Sequence, residues 1–391
     1  MSLRLAGAGG AVVLPADEGL IHGLTDCLFG WPAVFAPDLP QPRETLAVIA
    51  REAGGTFRLG SRYLDRPMTG LTVTSTVCAI IADLALGYCD ALPGGTGLHC
   101  GAVRLGAGPL TLIAGPHRAG KSTLIARLAL EKGAEIFCDD VLPITAKGQA
   151  VALGLAPRIR LPAVAALGPA LAARLILADA RYAYLRPLRA AQHGTRAVPA
   201  VLVALDRRPG SGPPRLHHLP PDAAIRLILQ QTLTTSDSPA SAMTQAEALL
   251  QGMTCVTLRY DDLDAAVALL TAQFSGAPRR GQEILPPLPT PAAAVSAPAR
   301  PDLRLTRRPD VHLRTQDHGV FLWYLDSPML WHLNPLGQAI WALLETPHTP
   351  QDIATLLCDV FPQVAPDQIL TDVAAFLGAA RADGLVTVAA P

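Results

Sequence analysis

Charged residues, and lysine above all, are scarce in this 391-residue sequence. Only 16% of the residues are charged, and three of the 32 basic residues are lysines. Because 32 acidic residues balance the 32 basic ones, no net charge draws the chain to nucleic acid or to an anionic membrane surface. Half of the residues are hydrophobic, which excludes a largely disordered chain. The abundance of alanine, proline and arginine is typical of a GC-rich bacterial genome.

Paired cysteines and a secretory signal are missing as well. The seven cysteines show no C-x-x-C spacing, so the sequence indicates neither a zinc site nor a disulfide framework. The N-terminus has acidic residues early and no long apolar stretch. The most membrane-like stretch, Leu71–Tyr88, is 18 residues long and contains Asp83, and we interpret it as a buried helix or strand. We therefore expect a cytoplasmic protein that binds neither membrane nor nucleic acid.

A proline-rich segment divides the chain. Residues 276–302 contain seven prolines and no apolar periodicity, which predicts an extended linker. The part before it changes character near residue 95. Residues 1–95 contain short β-like runs, Thr56–Leu59 and Leu71–Thr76, and we expect this β-rich region to belong to the same unit as residues 96–275.

Strand and helix patterns alternate after residue 95, which predicts an α/β sheet flanked by helices. Strand patterns are present at Leu110–Ala114, Glu135–Val141 and Val198–Leu205, and helical patterns at Ser122–Glu131, Asp222–Thr232, Ala240–Leu250 and Leu263–Phe274.

Residues 303–391 have the pattern of a small winged-helix-like α+β module. Strand patterns at Gly319–Leu325 and Met329–Leu333 precede three helix starts, each with a proline at the first helical position. The prolines are Pro335, Pro350 and Pro366, and a short strand pattern, Leu385–Val388, follows. Winged helices can bind DNA, but this module has five arginines, no lysine and nine acidic residues. The charge therefore argues against DNA binding.

The segment Gly115–Ser122, GPHRAGKS, satisfies the phosphate-loop motif G-x-x-x-x-G-K-[ST] between a strand and a helix pattern. Backbone N–H groups of such a loop and of the following helix bind phosphates. The Lys121 ammonium reaches the β- and γ-phosphates, and the Ser122 hydroxyl binds Mg²⁺. We therefore predict ATP and Mg²⁺ as cofactors, bound by Gly115, Pro116, His117, Arg118, Ala119, Gly120, Lys121, Ser122 and Thr123.

Two adjacent aspartates, Asp139 and Asp140, follow Lys121 by 18 and 19 residues and end a strand pattern. The carboxyl ends of strands are where α/β sheets bind ligands. One carboxylate can hold Mg²⁺, and the other can accept the proton of an attacking hydroxyl. Successive side chains of a strand point to opposite faces, so both reach one site only where the strand ends or twists.

Three further residues carry weaker signals. His99 lies 22 residues before Lys121, and a lone histidine beside apolar residues is more often a core side chain than a functional one. Arg158 and Arg160 alternate about an apolar residue. They either clamp phosphate or form a solvated strand face.

Together, His99, the phosphate loop and the nearby Asp-Asp pair resemble the HPr serine kinase/phosphorylase family over residues 96–275. The resemblance implies an α/β P-loop kinase fold in which Lys121 and Ser122 bind ATP and Mg²⁺. By it, Asp140 is the proton acceptor and His99 lines the catalytic site, and we predict Asp139 as a metal ligand beside Ser122. Kinases of this family form oligomers, so the resemblance also allows a homo-oligomer.

The sequence departs from that family in two respects. Arg118 stands where the family usually has glycine, and no segment matches the family's later acidic Mg²⁺ ligand or its phosphorolysis region. We therefore expect neither phosphorolysis nor HPr as the substrate.

The C-terminal module resembles PqqD-like domains, on the segments Trp331–Leu344 and Arg381–Val386. Such domains are recognition elements for ribosomally synthesised and post-translationally modified peptides (RiPPs). The resemblance implies that a precursor's leader binds as an added strand on the hairpin edge, with Leu330 and His332 as peptide-binding residues. Alternatively, Leu330 belongs to the core of the module.

The two resemblances together predict an ATP-dependent kinase that phosphorylates a serine or threonine of a precursor peptide. Other modifying enzymes of the same pathway are further candidate partners. One alternative is a nucleotide-binding chaperone that presents the peptide without phosphoryl transfer. Another is a plain ATPase or a kinase of small molecules that uses the C-terminal module only for docking.

Overall fold

A computed structural model describes most of the chain. The described residues are 1–38, 40–116, 119–161, 168–233, 239–276, 283–288, 297–316, 319–323 and 331–389. Three predicted site residues, His117, Arg118 and Leu330, lie outside these ranges.

The regular elements are numbered in chain order. The strands are β1 Ser2–Leu5, β2 Ala11–Val13, β3 Ala33–Ala36, β4 Thr45–Arg51, β5 Phe57–Ser61, β6 Met68–Leu71, β7 Thr96–His99, β8 Gly101–Leu105, β9 Leu110–Ala114, β10 Ala134–Cys138, β11 Val141–Ile144, β12 Ala150–Val151, β13 Arg158–Arg160, β14 Leu175–Ala178, β15 Tyr182–Leu185, β16 Arg196–Ala197, β17 Pro199–Arg207, β18 Arg215–His218, β19 Thr254–Tyr260, β20 Leu305–Arg307, β21 His312–Gln316, β22 Gly319–Trp323, β23 Trp331–Leu333 and β24 Val386–Val388. The α-helices are α1 Glu18–Cys27, α2 Val73–Asp90, α3 Lys121–Leu128, α4 Pro169–Ala172, α5 Pro221–Gln231, α6 Pro239–Leu250, α7 Leu263–Phe274, α8 Pro335–Leu343, α9 Pro350–Cys358 and α10 Pro366–Ala382.

The chain forms two compact units. The first contains Met1–Ser236 and Thr244–Leu288, and the second contains Asp237–Met243 and Pro289–Pro391. The boundary between Leu288 and Pro289 lies inside the proline-rich segment.

A six-stranded sheet with the order β3-β1-β2-β4-β5-β6 begins the first unit. Its inner face packs on α1 and α2 through fully buried side chains such as Leu3, Leu24 and Leu84. The strand-like run predicted at Leu71–Thr76 is wrong beyond its first residue, because the Thr72 hydroxyl accepts the N–H of Ser75 and starts α2. Among the described residues, α2 is the one helix long and apolar enough to cross a membrane, and 72% of it is buried inside the protein.

A second six-stranded sheet, with the order β10-β8-β9-β17-β19-β18, forms the centre of the first unit. Strands β9, β17 and β19 run parallel, and the three others are antiparallel to their neighbours. The apolar run LTLIA of β9 is buried along its whole length, as expected for a parallel strand covered on both faces. The phosphate-loop segment follows β9 and leads into α3.

The chain changes sheets at two neighbouring places. It leaves β7, in the sheet β16-β12-β11-β7, and enters β8 of the central sheet at Cys100. It leaves β10 of the central sheet and enters β11 of the smaller sheet at Asp139 and Asp140. Because β11 pairs with β7 and β10 pairs with β8, the two crossings lie side by side. The single strand predicted over Glu135–Val141 is therefore two strands separated by the aspartates.

The second unit contains the antiparallel sheet β21-β22-β23, the ribbon β20-β24 and helices α8, α9 and α10. The Asn334 side chain caps α8, and Thr349 and Asp352 form a reciprocal capping box at the start of α9. Each helix has proline at its start, as the sequence predicts. The core joins the sheet to the helices through apolar side chains that include Leu322, Ile340, Ile353, Val373 and Leu377.

Candidate functional site

The phosphate-loop segment connects the end of β9 to the first turn of α3. Gly120 precedes the helix with φ 96°, a left-handed conformation that favours glycine. The N–H of Ala119 donates to the Pro116 carbonyl at 3.1 Å, and that of Leu124 donates to the Gly120 carbonyl at 2.9 Å. The loop is therefore a tight turn that ends at a helix N-terminus, the arrangement that binds phosphate. Ser122 and Thr123 occupy the first turn of α3 and are half-buried.

The ammonium of Lys121 is held inside the loop. Nζ donates to the Gly115 carbonyl at 2.7 Å and to the Pro116 carbonyl at 3.4 Å, and the residue is 7% exposed. Burial lowers the pKa of this amine.

Asp140 and His99 meet where the chain changes sheets. Nε2 of His99 lies 3.1 Å from Oδ1 of Asp140, and Nη2 of Arg158 lies 2.9 Å from Oδ2. Burial alone would raise the pKa of Asp140, but the hydrogen bond to His99 and the charges of Arg158 and Arg160 outweigh it and lower this pKa to about 2. Asp140 is therefore ionised at neutral pH, and its charge also acts on Lys121.

Asp139 lies in the protein interior, next to Asp140 in the chain. It is 7% exposed, and Oδ2 accepts the backbone N–H of Arg158 at 2.7 Å. Its surroundings include Cys78, Tyr184 and a cavity of about 30 Å³, enough for one water molecule. Burial, reinforced by the charge of Asp140, raises the pKa of Asp139 to about 7. The carboxylate that shares surroundings with Lys121 is thus Asp140, and the metal-binding role predicted for Asp139 stays a prediction.

The two arginines of β13 have different environments. Arg158 is inside the protein: its guanidinium pairs with Asp140, lies 2.7 Å from the Cys78 sulfur and covers the Tyr182 ring at 5.3 Å. Arg160 is exposed, and its charge reaches both Lys121 and Asp140. Of the two, Arg158 positions Asp140, whereas Arg160 is accessible to a ligand.

Gln231 is a site residue that sequence reasoning missed. It ends α5, is 6% exposed, and places its side-chain oxygen 3.4 Å from Nζ of Lys121. The helical phase contained a signal, because Ala224, Ile225, Ile228 and Gln231 form the buried face of α5. A polar side chain on the buried, apolar face of a helix needs a specific hydrogen-bond partner.

The predicted peptide edge of the second unit is β23. Among the described residues, β23 pairs with β22 and has no other neighbouring strand. The indole N–H of Trp331 donates to the Asp383 carboxylate at 2.9 Å, and its ring meets Phe376 of α10 edge-on at 5.9 Å. His332 is half-buried, with its ring 4.9 Å from that of Phe321.

Comparison with known proteins identifies the second unit. Residues 319–386 match the PqqD family, described as coenzyme PQQ synthesis protein D. A PqqD domain, which is a RiPP recognition element, is therefore present, and this part of the prediction is confirmed. The comparison with curated proteins gives no match. The HPr kinase-like assignment of residues 96–275 stays a prediction.

Proposed function

We propose that this protein is an ATP-dependent kinase that phosphorylates a serine or threonine hydroxyl of a RiPP precursor peptide. The observation that carries the proposal is the joint presence of two sites in one chain. The first unit has a phosphate-loop turn beside a paired carboxylate and histidine, and the second is a PqqD domain. PqqD domains bind precursor peptides in RiPP pathways, which supports a peptide as the partner.

The nucleotide would bind at the loop, with the Lys121 ammonium donating to its phosphates. Arg160 adds an exposed cation whose charge acts on Lys121. A hydroxyl is one of the hard oxygen ligands that Mg²⁺ prefers, so Ser122 would hold this ion together with phosphate oxygens and waters. Bound Mg²⁺ would neutralise negative charge on the phosphates.

The acceptor hydroxyl would be oriented by Asp140. The hydroxyl oxygen forms a bond to the γ-phosphorus, the bond to the β-phosphate oxygen breaks, ADP leaves, and the hydroxyl proton passes to the carboxylate. His99 and Arg158 fix the orientation of that carboxylate through contacts of 3.1 and 2.9 Å. Phosphoryl transfer depends mainly on positioning and charge stabilisation, which these residues supply.

The PqqD domain would capture the leader of the peptide as a strand added to β23. Backbone hydrogen bonds give affinity in this mode, and side-chain pockets give register. Because the two units belong to one chain, capture raises the local concentration of the core peptide, to the millimolar range for a short flexible connection.

The test is intact mass spectrometry of the precursor peptide encoded beside the gene, after incubation with the protein, ATP and Mg²⁺. We expect a gain of one phosphate that is lost with Lys121→Ala and retained with Lys132→Ala, an exposed lysine in the same unit. An unchanged mass with a peptide that binds the protein would refute the kinase.

One observation favours a second candidate, a nucleotide-binding chaperone without phosphoryl transfer. An acid with its pKa held at about 2 is a weak proton acceptor. Asp140→Asn separates the two candidates. A kinase loses phosphoryl transfer in this variant but keeps leader binding, whereas in a chaperone the peptide mass is unchanged with either protein.

A further inference from the structure

Strands β17 and β19 end beside the phosphate-loop segment, on the side of β9 opposite to Asp140. In the central sheet β17 and β19 follow β9 on one side, whereas β8 and β10, which Asp140 follows, lie on the other. A Cβ added at Gly115 would lie 3.4 Å from Cβ of Leu205 in β17. A Cβ added at Gly120 would lie 3.1 Å from the Tyr260 hydroxyl in β19. Both ends of the loop are therefore next to the carboxyl ends of these strands, the edge where α/β sheets bind ligands.

Arg207 ends β17 and lies on the same face of the sheet as Tyr260. The two residues are partners in the parallel pair β17–β19. Leu205 and Tyr260 belong to the core that packs on α3, and side chains of a strand alternate between faces, so Arg207 continues the face of Leu205. Arg207 is exposed, and its charge acts on the Tyr260 hydroxyl. An exposed guanidinium is therefore present at the strand ends next to Gly120.

Arg207 differs from the two other arginines at these strand ends. Asp206 pairs with Arg208 at 2.9 Å and with Arg259 at 2.7 Å. Arg207 forms no ion pair with any residue that the structure describes. Its planar guanidinium is therefore the one of the three that a ligand can reach without displacing an aspartate.

The proposed phosphoryl transfer determines the direction of the nucleotide. The γ-phosphate has to lie near Asp140, because the acceptor hydroxyl that Asp140 orients attacks it. The phosphates lie along the N-terminus of α3, and the nucleoside is at the other end of the triphosphate. The base is therefore directed away from β10, toward the ends of β17 and β19. Arginine stacks on aromatic faces, and every nucleobase offers such a face.

We propose that Arg207 forms the nucleobase subsite of the nucleotide site, with its guanidinium stacked on the ring of the base. The inference rests on the proposed nucleotide-binding function and adds a specificity-determining residue outside the phosphate-loop motif. Such a subsite makes the protein prefer ATP to inorganic tripolyphosphate, which has three linked phosphates but no base.

The test measures the dissociation constants of ATP and of tripolyphosphate by titration calorimetry, on the full chain with Mg²⁺ at physiological ionic strength. Arg207→Ala should weaken ATP binding about ten-fold and tripolyphosphate binding by less than about three-fold. Arg207→Lys keeps the charge but lacks the planar group, and should weaken ATP binding by more than about three-fold. Arg208→Ala, the control, removes the same charge from the neighbouring exposed residue and should change both constants by less than about three-fold.

The two ligands distinguish a contact with the base from a contact with phosphate. Equal losses for ATP and tripolyphosphate in Arg207→Ala, or wild-type ATP affinity in Arg207→Lys, would overturn the subsite and assign Arg207 to a phosphate. Thermal unfolding without ligand verifies that each variant is folded. Failure of the wild-type protein to bind either ligand would overturn the proposed function itself. Wild-type binding of both ligands, with Arg207 variants that match Arg208→Ala, would overturn only the role of Arg207.

Discussion

Replacing Asp139 by asparagine tests whether the two adjacent carboxylates, Asp139 and Asp140, contribute differently to stability. Burial raises the pKa of Asp139 from 3.8 to about 7, so the folded protein keeps a proton that the unfolded chain loses at lower pH. Stability therefore falls as the pH rises through this window, because the ionised form is disfavoured in the folded state. Asparagine cannot ionise, and its side-chain oxygen can still accept the backbone N–H of Arg158.

The expected gain follows from the size of the shift. A pKa raised by about three units corresponds to roughly 4 kcal/mol of lost stability above pH 7, and to roughly 2 kcal/mol at pH 5. The Asp139→Asn variant should therefore exceed wild type in its free energy of unfolding, with an advantage about 2–3 kcal/mol larger at pH 8 than at pH 5. Urea denaturation at both pH values measures this difference.

Asp140→Asn is the matched control, because the same chemical change one residue later should have the opposite sign. His99 and Arg158 hold the pKa of Asp140 at about 2 against the effect of burial, so its ionised form stabilises the fold above pH 4. We expect Asp140→Asn to lose about 1–2 kcal/mol at pH 5 and less at pH 8, because loss of the Asp140 charge also lowers the pKa of Asp139. Our reasoning is refuted if Asp139→Asn is less stable than wild type at pH 8. It is also refuted if that variant is folded but no longer binds ATP with Mg²⁺, since Asp139 would then be the metal ligand that the sequence predicts.

Three further substitutions test individual contacts. Arg158→Met removes an internal ion pair and should cost about 3–5 kcal/mol in urea denaturation, whereas Arg160→Met, two residues later and exposed, should change stability by less than about 1 kcal/mol; equal losses would contradict the difference in environment. Gly378→Val adds a Cβ where Gly378 of α10 meets the Ala297 carbonyl, so the linker end should be displaced and cleaved faster by proteinase K, and an unchanged cleavage rate would contradict this contact. Trp331→Phe keeps an aromatic ring, though a smaller one, but loses a 2.9 Å hydrogen bond to the end of α10, and should lower stability by about 1 kcal/mol or more, measured as a lower Tm; an unchanged Tm would contradict the contribution of that bond.

The elements that the sequence predicts well are those whose residues determine their own conformation. Strand Leu110–Ala114 and helix Leu263–Phe274 have the predicted bounds, because each is an unbroken apolar pattern limited by turn or capping residues. The phosphate-loop turn also contains its own determinant, a glycine at Gly120 that adopts a positive φ. In contrast, α2 begins with β-branched residues that favour strands, and its Thr72 cap outweighs that preference.

The arrangement of the site depends on contacts between distant segments, which no local pattern contains. The 3.1 Å approach of His99 to Asp140 requires that β7 and β11 pair in one sheet while β8 and β10 pair in another. Sequence spacing suggests that the two aspartates share a site, but it does not say which one faces inward. The orientation of each aspartate depends on the bend at the end of β10, where the pairing with β8 shifts in register.

The burial of Asp139 reduces the negative charge that an anionic ligand would meet near the phosphate loop. If both aspartates faced the phosphate loop, their two negative charges would oppose the binding of a triphosphate. Asp139 instead lies inside the protein, where burial favours its neutral form up to about pH 7. Asp140 therefore faces Lys121, Arg158 and Arg160, and these cations outnumber it. An excess of positive charge around one fixed carboxylate suits the proposed kinase site, which would attract phosphate and orient a hydroxyl.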